Sequence, residues 1–147
     1  MTTGKIQAKY SKAVTNCFGC GKNNPIGLKL NITRDGERVS TEFTPTQHHT
    51  GFDDVVHGGI ICTLMDEVMS YVPFSQGILT VTGKMDVRFR RPARPDVPLV
   101  ISAHMVKSNS KILETKCIIT LKDGTIIAEG NATMWIIEKN GEIYINI

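Results

Sequence analysis

Hydrophobic and polar positions along the chain keep a two-residue period nearly throughout and change to a helical period once. The change falls at residues 58–72, where Ile60, Ile61, Leu64, Met65, Val68, Met69 and Val72 fill half of a helical circumference. Gly59, Cys62, Asp66 and Ser70 gather at the centre of the other half. The pair Gly58-Gly59 opens the segment and Pro73 closes it, as helix punctuation predicts. Elsewhere the pattern predicts strands. Leu28, Leu30 and Ile32 alternate, and Asp35-Gly36 turns the chain into Val39, Thr41 and Phe43. A strand from about 79 to 90 places Val81, Gly83, Met85, Val87 and Phe89 on one face by the period-two rule. Its other face then carries Thr80, Thr82, Lys84, Asp86, Arg88 and Arg90. Further strands are expected at about 99–108, 111–121 and 125–137, with a last short one at 142–147 after Asn140-Gly141. Gly, Asn and Pro punctuate a loop at 17–27, and 45–56 is an irregular polar stretch. Residues 5–15 read as a short amphipathic helix or a lead-in.

Two strands, one helix and then at least three long strands joined by hairpins describe an α+β fold, an antiparallel sheet with one helix against it. The expected organisation is a lead-in over 1–16 and a single domain over 17–147. One helix cannot cover both faces of such a sheet, and edge strands need management. A homodimer or a dimer of dimers is therefore expected.

Composition narrows the function classes. The chain has 147 residues, 41% hydrophobic and 21% charged, which suits one globular domain with a real core. A net charge of +3 is too mild to argue for nucleic acid. No apolar run is long enough to span a bilayer. No basic segment followed by an apolar stretch opens the chain, so a cytoplasmic location is expected. Neither a P-loop nor a G-x-G-x-x-G motif is present, which disfavours nucleotide hydrolysis and hydride transfer.

Of the four cysteines, Cys17 and Cys20 form Cys-Phe-Gly-Cys, Cys62 lies in the helix and Cys117 in a strand. One C-x-x-C is half of a zinc site, and no second pair follows at ligand spacing. The expectation is a structural loop and no metal.

Asp66 is the informative residue. It lies two turns into the most apolar helix the chain can make, four residues before Ser70 and so beside it. A carboxylate in a mostly buried helix is either an internal structural bond or a working group at a cleft wall. Glu67 is the rival acid, 100° round the helix, a dimer contact or a supporting partner. Asp66 is favoured because it shares a face with Ser70 and Gly59. Free N–H groups at the helix start, helped by its dipole, suit a carbonyl on which negative charge develops.

The combination of His57-Gly58-Gly59, Asp66 nine residues after the histidine, and Arg91-Pro92 after the next strand resembles the hotdog-fold acyl-CoA thioesterases. The subgroup it most resembles is the phenylacetic-acid-degradation type of the 4-hydroxybenzoyl-CoA thioesterase superfamily. Cys17-Phe18-Gly19-Cys20-Gly21, Asn24-Pro25 and Gly27-Leu28 resemble the lead-in of many members. The resemblance implies a sheet wrapped around one long central helix, and a hydrolase that releases free acid and CoA. It implies no cofactor, since coenzyme A is part of the substrate. It implies Asp66 as nucleophile or general base, Gly58 as the N–H that polarises the carbonyl, and Ser70 orienting water. His57 would organise the loop and help bind the thioester, with Gly59 beside it, and Thr82 would stand near the acid. Many relatives carry Asn or Gln six residues before the motif histidine. Here that position is Gly51, with Gln47, His48 and His49 upstream as possible substitutes.

Arg88, Arg90, Arg91 and Arg94, with Lys107 and Lys111, suit the phosphates of CoA. Arg90, Arg91, Arg94 and Lys107 are the expected binding set. The alternative for them is an ordinary solvated face. The alternatives for the whole protein are a non-catalytic acyl-CoA-binding or regulatory hotdog protein and an enoyl-thioester hydratase.

Overall fold

A computed structural model describes residues 15–139 and the backbone of 142–143. The expected helix or lead-in over 5–15 lies almost wholly outside them. The elements are β1 (Thr33–Asp35), β2 (Arg38–Phe43), α1 (Gly58–Phe74), β3 (Ile78–Phe89), β4 (Leu99–Ser108), β5 (Ile112–Thr120), β6 (Ile126–Lys139) and β7 (Glu142–Ile143). All strand pairs are antiparallel, in the order β1-β2-β4-β5-β6-β3, with β7 on the end of β6. The sheet curls around α1. This is the hotdog fold.

The apolar half of α1 makes the core. Leu64, Met65, Val68 and Met69 are completely buried against Leu99, Ile101, Leu113, Ile119 and Met134 of the sheet. Burying each such side chain is worth about 1.5–3 kcal/mol. The opposite half, with Cys62, Thr63, Asp66 and Ser70, is only partly covered within one chain. Pro73 lies inside the last turn rather than beyond it. A proline there forfeits a single N–H, and Ser75 satisfies the helix end through its N–H to the Tyr71 carbonyl (2.8 Å) and its Oγ–H to the Val72 carbonyl (2.8 Å).

Two expectations are corrected. Leu28, Leu30 and Ile32 are buried but form no strand. Lys29 between them takes a positive φ of 54°, and their N–H groups turn to the Cys17–Cys20 loop, Leu28 to the Phe18 carbonyl and Leu30 to the Gly19 carbonyl. In β3 the simple alternation fails. The pairing of β3 with β6 shifts between Thr82 and Lys84, a bulge at Gly83. A Cβ at Gly83 would collide with the indole of Trp135, which lies over it. The bulge puts Thr80 and Thr82 on the helix side together with Met85 and Val87, and leaves Val81 outside.

Candidate active site

Two loops set the start of α1. The Val56 N–H donates to the Ala93 carbonyl (2.9 Å) and the His57 N–H to the His49 carbonyl (2.8 Å). His57 is the N-cap, an uncommon residue there. Its Nδ1 accepts from the Gly59 N–H at 2.8 Å, so the neutral ring carries its proton on Nε2. The N–H groups of Ile60 and Ile61 both reach the His57 carbonyl, at 2.9 and 3.2 Å. A helix start leaves four N–H groups without intrahelical partners or with weak ones. Here the cap and its carbonyl occupy three, and Gly58 alone keeps an N–H with no acceptor among the described residues. Gly59 serves the cap: a Cβ on it would stand 2.9 Å from His57 Nδ1.

A cleft of about 640 Å³ opens against that N–H. Its walls include Gly51, Phe52, His57, Gly58, Phe89, Arg90 and Arg91. Phe52 is 83% exposed. No acid stands in the first turn of α1, so the positive end of the helix dipole faces the cleft unneutralised.

The carboxylate lies elsewhere. Asp66 lies eight positions after Gly58, about 12 Å along the helix. Thr82 Oγ–H donates to Asp66 Oδ1 at 2.7 Å, holding the carboxylate on the open face of α1. The Gly83 bulge makes this bond possible by turning Thr82 inward. Ser70, one turn on, makes no side-chain hydrogen bond to Asp66; it lines a smaller cavity of about 190 Å³ with Tyr71, Phe74 and Thr80. Burial, and then the charge of Asp66, push the Cys62 thiol up, so it stays protonated beside the carboxylate.

The expected phosphate-binding residues divide. Arg90 and Arg91 line the cleft. Arg90 Nε pairs with Glu129 at 2.9 Å, and Arg91 donates to the Ile126 carbonyl at 3.1 Å, which leaves each guanidinium with free donors. Arg94 ties the pre-helix loop through the Asp54 carbonyl (3.1 Å). Lys107 pairs with Glu114 at 3.5 Å on β4 and β5 and is not among the cleft residues. Of the candidates to replace a polar group at Gly51, His49 caps a 3-10 turn: its Nδ1 accepts from the Thr46 N–H at 2.9 Å. Gln47 and His48 are exposed.

Sequence reasoning did not find the partner of Glu67. Cys17 Sγ–H donates to Glu67 Oε2 at 3.3 Å, across fifty residues of chain. Cys20 joins them, and burial followed by the neighbouring Glu67 pushes its thiol far up. Only the fold brings these groups together.

Comparison with known proteins identifies the family and the fold. The profile of the "Thioesterase superfamily" matches residues 53–128, just over half of the chain. Human acyl-coenzyme A thioesterase 13 is 29% identical over 99 residues, covering 65% of this chain and 71% of the relative. Its mouse counterpart is 28% identical over 100 residues, covering 66% and 71%. Among solved structures, the E. coli PaaI protein from the phenylacetic acid degradation operon superposes with a TM-score of 0.77 at 19% identity, over 92% of this chain and 99% of that one. A hypothetical thioesterase from Streptococcus pneumoniae TIGR4, solved with coenzyme A, gives 0.69 at 20% identity over 73% and 84%. A hotdog sheet around one central helix, matched by the family profile across that helix and the strands after it, makes this chain a thioester hydrolase belonging to the thioesterase superfamily.

Proposed function

We propose that the protein hydrolyses an acyl-CoA thioester at a site shared by two copies of the chain. The observation that carries the reading is one free N–H at Gly58 and one held carboxylate at Asp66 on the same helix, about 12 Å apart. That span is too long for both to meet one carbonyl carbon. A two-fold axis perpendicular to the helices would set two of them antiparallel and bring the start of one beside the middle of the other. β3 suits that axis. It is a twelve-residue edge strand with one side unpaired, and Val81 and Phe89 on it are exposed. Pairing β3 to its copy would cover the open face of α1.

In this arrangement the Gly58 N–H of one protomer binds the thioester oxygen, where negative charge develops. Asp66 of the other takes a proton from water, or attacks the carbon itself. In general-base action the C–O bond forms to the water oxygen, whose proton passes to Asp66; the C–S bond breaks, and the CoA thiolate leaves and takes up that proton. In direct attack the C–O bond forms to Asp66 and CoA leaves; a water then hydrolyses the mixed anhydride to free acid and restores the carboxylate. The Thr82 bond occupies Oδ1 and leaves Oδ2 to face water. Arg90 and Arg91 at the cleft meet the phosphates, a task for which the guanidinium fork suits. Release of free thiol from a panel of acyl-CoA substrates tests the activity. Asp66→Asn keeps the acceptor for Thr82 and should lower turnover at least ~100-fold. Near wild-type hydrolysis in that variant would refute the assignment, and CoA binding without thiol release would leave a binding protein. Isotope from labelled water appearing in Asp66 after one turnover identifies direct attack with hydrolysis at the aspartyl carbon, and trapping of an acyl-Asp66 anhydride identifies direct attack whichever carbon water takes.

A further inference from the structure

The Cys17–Cys20 loop ends against the catalytic helix at a cluster that thioester hydrolysis does not use. Cys17 Sγ, Cys20 Sγ and a carboxylate oxygen of Glu67 all lie within 4.8 Å of one another. Cys17 Sγ and Glu67 Oε2 are 3.3 Å apart. In a tetrahedral zinc site, with metal–sulfur bonds near 2.3 Å, two thiolates stand about 3.8 Å apart. The three ligand atoms therefore need to move by only about 1 Å to close on one ion. We propose that Cys17, Cys20 and Glu67 bind a thiophilic divalent cation of the zinc type, which fastens the loop to α1.

The loop is already shaped for this. The Gly21 N–H donates to the Cys17 carbonyl at 2.8 Å and closes the turn that turns both thiols the same way. Leu28 and Leu30 anchor the backbone of Phe18 and Gly19 from the other side, at 2.8 and 2.9 Å. At Gly19 a Cβ would stand 2.6 Å from Glu67 Cδ, so the backbone approaches the carboxylate as only glycine permits. All three ligand residues are half-buried, which shields the site yet leaves an entry path. The sequence offers half of a zinc motif, and the helix supplies the missing ligand.

Two thiolates and one carboxylate are the donor set of a borderline-soft cation, not of calcium or magnesium. Binding expels the thiol protons to solvent as two metal–sulfur bonds form. Three protein ligands leave a fourth position, which lies next to the cavity lined by Ser70, Tyr71 and Phe74. A water completes the shell there. The ion would thus border the catalytic helix one residue from Asp66 without contacting it.

Cobalt(II) is the probe. The 147-residue chain, reduced and stripped with chelator, is titrated with Co²⁺. The expected result is a thiolate-to-cobalt charge-transfer band saturating at one equivalent per chain and displaced by Zn²⁺. Cys17→Ser and Cys20→Ser should each abolish it, and Cys62→Ser should keep it. Glu67→Gln should weaken cobalt binding by about ten-fold or more, since even outer-shell partners are worth that much. As a second readout on the unaltered protein, Zn²⁺ should protect Cys17 and Cys20 from alkylation and leave Cys62 unprotected, read by mass spectrometry. The absence of a band in the reduced wild-type protein, a band that survives loss of both loop cysteines, or unchanged alkylation under Zn²⁺ overturns the proposal.

Discussion

Gly58→Pro isolates the proposed oxyanion donor with unusual cleanness. Gly58 is the first helical residue after the His57 cap. Proline is favoured at that position, where its missing N–H takes no part in the helix. Proline also restricts the residue before it to extended backbone, and His57 already has φ −58° and ψ 134°. A Cβ at Gly58 meets only the edge of Phe89, at 3.6 Å, an ordinary contact. The substitution therefore removes one N–H and little else, and its reduced chain entropy should keep stability within about 1 kcal/mol of the wild type. Loss of one oxyanion-hole donor lowers kcat by about 10²–10³, or about 2.7–4 kcal/mol of transition-state stabilisation. Gly58→Ala, which keeps the N–H, is the control and should stay close to wild type. Mixing then tests the shared site. A hybrid of one Gly58→Pro chain and one Asp66→Asn chain holds one intact site and one doubly damaged site. Random reassembly makes half of the dimers hybrid, so two nearly inactive samples should recover about a quarter of the wild-type activity. Thiol release before and after co-refolding reads this directly. Gly58→Pro within a few-fold of wild type would remove Gly58 from the mechanism, and a mixture as inactive as its components would place each site within one chain.

Thr82→Val should lower kcat by roughly 10–100-fold, the range expected from losing a charge-assisted bond of about 1.5–3 kcal/mol, with the midpoint of thermal unfolding little changed because Thr82 is exposed; activity equal to wild type would show that the 2.7 Å bond does not orient Asp66. Arg90→Gln with Arg91→Gln should raise KM for acyl-CoA several-fold more than it lowers kcat, and should not affect a pantetheine thioester that lacks the nucleotide phosphates; equal damage to both substrates would assign the arginines to the fold, through Glu129 and Ile126. Burial, and then the neighbouring His48, hold His49 below the ordinary histidine pKa. Its neutral Nδ1 accepts from Thr46, so the unfolded chain binds the proton more readily and stability falls as pH drops below about 6.5. His49→Asn, which presents an acceptor in the same place without titrating, should flatten that part of the unfolding temperature's pH profile, and an unchanged profile would refute the assignment.

The helix was legible because its signals are local: a glycine pair, an unbroken 3.6-residue apolar pattern and a closing proline. The strands from β4 to β6 were legible for the same reason, through turn residues at each end. Thr82 was harder. Strict alternation places it with Lys84 and Asp86, and the bulge that turns it toward Asp66 arises where Trp135 on another strand needs the space above Gly83. A partner fifty or more residues away leaves no periodic trace, and Glu67 with Cys17 is a case of the same kind. The absence of a strand at Leu28–Ile32 is conformational: one positive φ at Lys29 breaks the pleat without disturbing the apolar alternation. The Arg94 tether to a backbone carbonyl is invisible to any reading of side-chain charge.

Trp135 over the Gly83 bulge gives the molecule a built-in optical reporter. It is the only tryptophan in the chain, so every photon excited selectively in an indole comes from this one place. The residue is 47% exposed on the outer side of the sheet, and its ring rests on the strand whose free edge would join a second copy. Its emission colour therefore follows local hydration of β3. Diluting the protein through its association midpoint should redden that emission as water reaches the edge, and the same spectrum should follow any movement of Thr82 that unseats the bulge. The residue that sets the register of the acid's partner is thus also a label, with no dye to attach and no second tryptophan to subtract.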